Sequence, residues 1–303
     1  MFELPESLFT CKTLMALKLG SKFVINMPTS ACFPSLKLLY FTVLTAKDSM
    51  DFSHCPALEH LAIDRYPVDA RFYFNISLSE LKTLKMTSYD ICSVHINAPK
   101  LEKLDLKGSL LSNYVLENTK SLVEANIYLY HEEEEGNDEE EAYDCFVPAF
   151  DKLIKLTLAV DNGFRHSCCY RWDILTVLLE RSSNLECLVL KRESDVELSQ
   201  LDYFEFDRYI DAANYEVATW CQPESVPKCV MSNLKSVFLI GFERNLGHPD
   251  QMEVLKYLLK YGQVLKEMTI YSRFQEPELY SELSRFEWGS ETCKLKIISM
   301  SLF

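Results

Sequence analysis

In "CPALEHLAI" (55–63) the apolar residues Leu58, Leu61 and Ile63 are spaced by three and then by two. A helix repeats at three and four, and a half-buried strand at two and two. The same figure recurs as LMALKL from Leu14, LKLLYF from Leu36, LEHLAI from Leu58, LKTLKM from Leu81, LEKLDL from Leu101 and LVEANI from Leu122. It continues as LIKLTL from Leu153, LECLVL from Leu185, LKSVFL from Leu234, LKEMTI from Leu265 and LKIISM from Leu295. The first five intervals are 22, 22, 23, 20 and 21 residues; the later ones are 31, 32, 49, 31 and 30.

The second and third apolar positions lie two apart, so they share one face of a short strand. The first sits at the bend leading into it. A single copy cannot bury that face, whereas stacked copies can. A period of about 20–29 residues with this spacing is the leucine-rich-repeat pattern. The predicted fold class is therefore α/β: an irregular leucine-rich-repeat solenoid with a curved parallel sheet, whose side chains between the leucines face outward on the concave side. Regular arrays carry Asn or Cys shortly after the strand. Here Lys22, Leu44, Tyr66 and Tyr89 stand there, which predicts irregular stacking.

The longer intervals contain helical patterns. Trp172, Leu175 and Leu179 fall on one side of a run within 171–190, with Ile174 and Leu178 close by. Met252, Leu255, Leu258 and Leu259 form a stripe within 249–262, and Gly262 is placed to stop that helix. The C-terminal copies thus read as helix then strand, and the early ones as returning through loops or short turns. Two segments interrupt the array. The run "EEEEGNDEEE" (132–141), in a loop over 131–142, reads as a solvated disordered loop or as a docking tail for a basic partner. The stretch 193–230 mixes acids with Tyr203, Phe204, Phe206, Tyr209 and Tyr215, and reads as an excursion covering part of the sheet or its edge. Pro223 and Pro227 bar a helix across its end.

Charge changes the picture in one respect. Thirty-one Lys and Arg against 45 Asp and Glu give a net charge of −14, which argues against a nucleic-acid or anionic-membrane surface. Eleven scattered cysteines without Cys-x-x-Cys speak for free thiols rather than a disulfide framework. The N-terminus lacks a signal-peptide pattern, and no apolar run approaches a membrane span. The expected location is cytoplasmic or nuclear. Nucleotide-binding glycine motifs, His-Glu-x-x-His and Gly-x-Ser-x-Gly are missing. "HSCC" (166–169) offers vicinal cysteines that suit one tetrahedral ion badly, and His54, His60, His95 and His248 are scattered. The sequence therefore points to no catalytic, cofactor or metal residue.

Residues 220–272 carry a more specific signal. Trp220, Pro223, Val226-Pro227, Cys229 and "SNLKSVFLIGF", followed by a helix and "VLKEMTI", resemble the FBD domain of plant F-box proteins. "SRFEWGSETCKLKIIS" resembles that domain's ending, and "LPESLFTCKTLMALKL", "FPSLKLLYF" and "HCPALEHLAI" resemble the repeats that precede it. The resemblance implies a division into leucine-rich repeats over 1–192, a loop excursion over 193–219 and an FBD domain over 220–303 that continues the array. It also implies a non-enzymatic scaffold like the substrate-recognition part of an SCF-type ubiquitin ligase. Family members begin with an F-box that docks the ligase adaptor. This chain starts directly in a repeat at Leu4-Pro5, so adaptor contact is expected only if an F-box is supplied. A shortened gene product, an incomplete gene model and a binder working without the ligase all fit. The alternative function is a remnant or competitor that holds targets without delivering them.

The outward positions of the copies give the candidate protein-binding face: Leu38, Tyr40, His60, Thr83, Lys85, Lys103 and Asp105, then Glu124, Asn126, Lys155, Thr157, Val189 and Phe238. Its middle is polar and mixed in sign, and its two ends are more apolar. The protein target is unknown.

Overall fold

In most copies the opening leucine closes a tight turn, and the two apolar residues after it enter a strand. The N–H of Leu36 donates to the carbonyl of Phe33, Leu58 to Cys55, Leu101 to Ala98, Leu122 to Thr119 and Leu185 to Ser182, at 3.1–3.3 Å. Pro34, Pro56 and Pro99 occupy the second turn position, where a fixed φ favours the turn. The turn's first residue is buried: Phe33, Cys55, Leu78, Ala98, Thr119, Phe150 and Ser182 fill that place in successive copies.

The structure, a computed structural model, describes residues 2–20, 23–24, 33–43, 49–65, 72–89, 91–109, 112–130, 149–160, 173–191, 220, 222–242, 249–272 and 277–299. The acidic loop 131–142, the excursion 193–219, the "HSCC" run and His248 lie outside these residues, as do Trp172, Lys22, Leu44 and Tyr66. The chain forms two compact units, one of residues 1–157 with 181–185, the other of 158–180 with 186–303.

The first unit opens with β1 (Phe2–Glu3), α1 (Glu6–Phe9), β2 (Ala16–Leu19), β3 (Phe23–Val24), β4 (Leu38–Val43) and β5 (Ser49–Asp51). It continues with β6 (His60–Arg65), β7 (Phe72–Ser77), β8 (Thr83–Ser88), β9 (Cys92–Asn97), β10 (Lys103–Ser109), β11 (Asn113–Glu117), β12 (Glu124–Tyr130) and the start of β13 (Lys155–Val160). The front sheet runs β2-β4-β6-β8-β10-β12, all parallel. Register aligns the motif: Leu17, Leu39, Leu61, Leu84, Leu104 and Ala125 form one inward row, and Leu19, Phe41, Ile63, Met86, Leu106 and Ile127 the next. The residue after each lead leucine ties one copy to the following one. Its carbonyl accepts two N–H groups, as Met15 does from Lys37 and Leu38, and Glu102 does from Val123 and Glu124.

The expected return through loops is corrected here. The early copies return through a second parallel sheet, ordered β11-β9-β7-β5. "FYFNIS" and "CSVHIN" alternate with period two, burying Phe72, Phe74 and Ile76, and Cys92, Val94 and Ile96. Such alternation puts every second side chain on one buried face of a strand. The core lies between the sheets, where the Phe41 and Phe52 ring centroids are 5.8 Å apart and the guanidinium of the fully buried Arg65 stands 4.9 Å from the Phe72 ring.

The second unit holds all but the last residue of α2 (Asp173–Arg181), then β14 (Cys187–Lys191), α3 (Lys228–Ser232), β15 (Ser236–Phe242), α4 (Pro249–Tyr261), β16 (Glu267–Ser272), α5 (Pro277–Leu283) and β17 (Lys294–Ser299). Its strands β14-β15-β16-β17 are parallel, so the helix-then-strand reading of the C-terminal copies holds. The stripe of α4 is buried at Leu255, Leu258 and Leu259, and Gly262 follows the helix directly. Gly241, at φ 82°, sits where the register slips between Ile240 and Phe242. Only glycine takes that backbone freely, and the extra residue makes a bulge. The last copy is also corrected. Register sets Leu295 opposite Met268 and Ile297 opposite Ile270, so Leu295, expected to lead the copy, is its second apolar position and Thr292 stands at the lead position. Helices and parallel repeat strands together make the fold class an α/β leucine-rich-repeat solenoid.

The residues that carried the resemblance have packing roles. Trp220 is buried, meets the Tyr257 ring edge-on at 5.0 Å and donates from Nε1 to Thr176 Oγ1 at 3.2 Å, linking α2 to α4. Cys229 Sγ donates to the Leu179 carbonyl at 3.1 Å, and burial pushes its thiol up to about 11. Pro227 directly precedes α3, so the proline bar on helix ends there.

Candidate functional site

Because side chains alternate along a strand, the positions between the buried rows point away from the first unit's core. Register joins Leu38, His60, Thr83, Lys103 and Glu124 into one outward row, and Tyr40, Ala62, Lys85, Asp105 and Asn126 into the next. Leu38, Tyr40, His60, Thr83, Asp105, Glu124 and Asn126 are half-buried, and Lys85, Lys103 and Lys155 are exposed. Lys155 reaches the first row through its ion pair with Glu124. Thr157, on the same strand, is buried. Val189 and Phe238 are register partners in the second unit, Val189 buried and Phe238 half-buried.

Polar contacts tie these rows together. His60 Nδ1 lies 2.9 Å from Thr83 Oγ1, and the Tyr40 hydroxyl donates to Asp64 Oδ2 at 2.6 Å. Glu124 accepts from Lys155 at 3.0 Å and from Lys103 at 3.2 Å; Lys155 first and then Lys103 lower its carboxyl pKa against the opposing effect of burial. Just before the strands, Glu59 stands between Lys37 at 2.8 Å and Lys82 at 2.6 Å. Hydrogen bonds from Lys37 and then Lys82 hold its carboxyl at about 2.

A third outward row continues past the repeat motif: Thr42, Asp64, Thr87, Lys107 and Tyr128. The sequence reading stopped at two positions per copy and missed it. The signal was present, since alternation simply runs on for two more residues. In the second unit the comparable rows are Val189, Phe238, Thr269 and Lys296, then Lys191, Ile240, Tyr271 and Ile298.

Among the described residues no group of three or more His, Cys, Asp or Glu is arranged to hold a metal, and no helix is long and apolar enough to cross a membrane. His54 is half-buried in a turn, and His95 Nε2 lies 3.2 Å from Glu117 on the second sheet.

Comparison with known proteins identifies both parts of the chain. The family model for the leucine-rich repeats of FBD-associated F-box protein At5g56370 matches residues 1–126, and the FBD model matches residues 222–270. The probable FBD-associated F-box protein At1g32375 of Arabidopsis thaliana is 28% identical over 96% of this chain and 71% of its own length. The putative F-box/FBD/LRR-repeat protein At4g13965 of the same plant is 29% identical over 90% of this chain, which spans 64% of that relative. F-box/FBD/LRR-repeat protein At5g56420 is 28% identical over 97% of this chain and 70% of its own length. No solved structure matches. Repeats at one end, an FBD segment at the other and likeness along nearly all the residues between them show that the chain belongs to the plant F-box/FBD/leucine-rich-repeat proteins.

Proposed function

We propose that the chain is a non-enzymatic protein-binding scaffold that recognises targets for an SCF-type ubiquitin ligase. The observation that carries this reading is the in-register outward face of the first unit. Five parallel strands present Leu38, His60, Thr83, Lys103 and Glu124 side by side on a hydrogen-bonded frame. A rigid face loses little freedom on binding, which favours recognition of another protein. Each strand along the frame adds another residue to every row, so specificity is spread over many residues.

Coupling to the ligase adaptor needs an F-box. The adaptor is expected to bind a fusion carrying the F-box of the relative At1g32375 and to ignore the 303-residue chain alone. The proposed location is cytoplasmic or nuclear, and a fluorescent fusion reads it. The test of the binding face is affinity capture from plant extract with the wild type, Leu38→Glu/Tyr40→Ala and Lys103→Glu/Lys155→Glu. Captured proteins should fall away in the face variants. An unchanged set of captured proteins in both variants would overturn the assignment of the face.

A further inference from the structure

Resting on that reading of the face, we infer that the first unit takes a carboxylate-rich, extended segment of its partner protein across β8, β10 and β13. The chain as a whole carries a charge of −14, so a cationic patch on it is against the trend. The outward rows nonetheless hold Lys18, Lys85, Lys103, Lys107 and Lys155 against Asp64, Asp105 and Glu124. Two of those acids are occupied. Asp64 accepts the Tyr40 hydroxyl, and Glu124 is shared by Lys155 and Lys103, which leaves that triad one positive charge in excess. Lys37, Glu59 and Lys82 form a further triad where the strands begin, but Glu102 and Glu80 also act on Lys82, so the excess there is cancelled and the strands themselves carry the patch. Lys85 is exposed and makes no ion pair among the described residues, although Asp105 stands opposite it in register.

Spacing selects the form of the ligand. Neighbouring strands are about 4.8 Å apart, so the three steps from the strand of Lys85 to that of Lys155 cover about 14 Å. An extended chain of about five residues spans the same distance and turns every second side chain to one side. A partner segment with acids at alternate positions therefore meets Lys85, Lys103 and Lys155 together. Lysine recognises charge without the fork geometry of arginine, so attraction follows the number of carboxylates and weakens with salt.

The probe is a short fluorescein-labelled peptide with glutamate at every second position; its glutamine counterpart is the control. Anisotropy is read at about 50 mM and about 300 mM salt, between which screening shortens markedly. The proteins are the full chain, Lys85→Glu, Lys103→Glu/Lys155→Glu, and Lys228→Glu, an exposed lysine of the second unit. A further variant has the eight acids of 132–141 changed to their amides, because that run has the same chemistry as the proposed ligand. Binding of the glutamate peptide to the full chain or to the amide variant supports the inference if it weakens at least tenfold in the Lys85 and Lys103/Lys155 changes and not in Lys228→Glu. In the amide variant alone, that pattern also identifies the chain's own acidic run as a competitor. No binding to either protein, or equal losses in Lys228→Glu, overturns it. Loss of target capture in the face variants with no peptide binding leaves the scaffold reading standing and removes the acidic ligand.

Discussion

Replacing Leu101 by alanine should weaken the first unit far more than replacing Leu14. Leu101 is completely buried, closes the turn from Ala98 and leads into β10, which has a hydrogen-bonded neighbour on each side. The change removes three carbons at about 0.8 kcal/mol each, or about 2.4 kcal/mol of lost burial. The vacated space is walled by hydrogen-bonded strands and cannot collapse fully, which brings the loss to about 3–4 kcal/mol. Leu14 has the same motif position in the first copy but is half-exposed. It forfeits about half the burial and leaves no closed cavity, so its loss is about 1 kcal/mol. Urea unfolding followed by far-ultraviolet circular dichroism reads both variants against the wild type. Trp172, Trp220 and Trp288 all belong to the second unit, so tryptophan fluorescence supplies a separate signal for that unit. The reasoning fails if Leu101→Ala costs less than about 1 kcal/mol or no more than Leu14→Ala, because a buried lead leucine with neighbours on both sides cannot then be what joins the copies.

Three further outcomes follow. A methyl group at Gly262 would sit 2.6 Å from the Leu258 carbonyl oxygen, so Gly262→Ala should cost the second unit about 1–3 kcal/mol, read by tryptophan fluorescence in urea; a loss under about 0.5 kcal/mol would contradict the fixed end of α4. Glu59, at about 2, and Glu124 both have carboxyls depressed below their unfolded values, so their contribution is full above pH about 4.5 and fades as pH falls towards 2. Glu59→Gln/Glu124→Gln should therefore flatten the fall of Tm with acid in that window and leave the neutral side of the profile parallel to the wild type; an identical acid slope would speak against the two triads. Cys11 is half-exposed, and the Thr13 hydroxyl lowers its thiol, whereas burial pushes Cys229 and Cys293 up to about 11. Iodoacetamide at about pH 8, read by mass spectrometry, should alkylate Cys11 first among these three, since the thiolate is the reactive form. Equal rates would refute the assigned environments.

The front sheet was legible because its signal is redundant. Each copy repeats the same three apolar positions, and one slipped copy changes nothing in the others. Leu295 is misplaced for the same reason: "LKIISM" fits the motif by letter, and only pairing with β16 shows it shifted. The second sheet was written in the chain as plainly, in the alternation of Phe72, Phe74 and Ile76, but its short runs lack a repeated lead residue that would fix them as paired strands. The buried turn residues were harder to foresee. Phe33, Cys55, Leu78, Ala98, Thr119 and Ser182 differ in size and polarity and share a place three residues before a leucine. The candidate face was readable as rows, since alternation dictates which residues share a side. Its charge balance was not, because that depends on which lysines share a carboxylate. Glu124 between Lys103 and Lys155 is a fact of pairing across strands whose lead leucines are up to 52 residues apart in the chain.

The stacking itself is open to direct measurement by pulsed electron spin resonance on spin labels placed in one outward row of the front sheet. Lys18, Lys85 and Asn126 lie in the same row on β2, β8 and β12. At about 4.8 Å per strand, backbone separations of about 14 Å from Lys18 to Lys85 and about 24 Å from Lys18 to Asn126 are predicted, with Lys85 to Asn126 near 10 Å. Three distances that increase with strand number in this order would bear out copies laid side by side in parallel. A Lys18 to Asn126 distance equal to or shorter than Lys18 to Lys85 would contradict them.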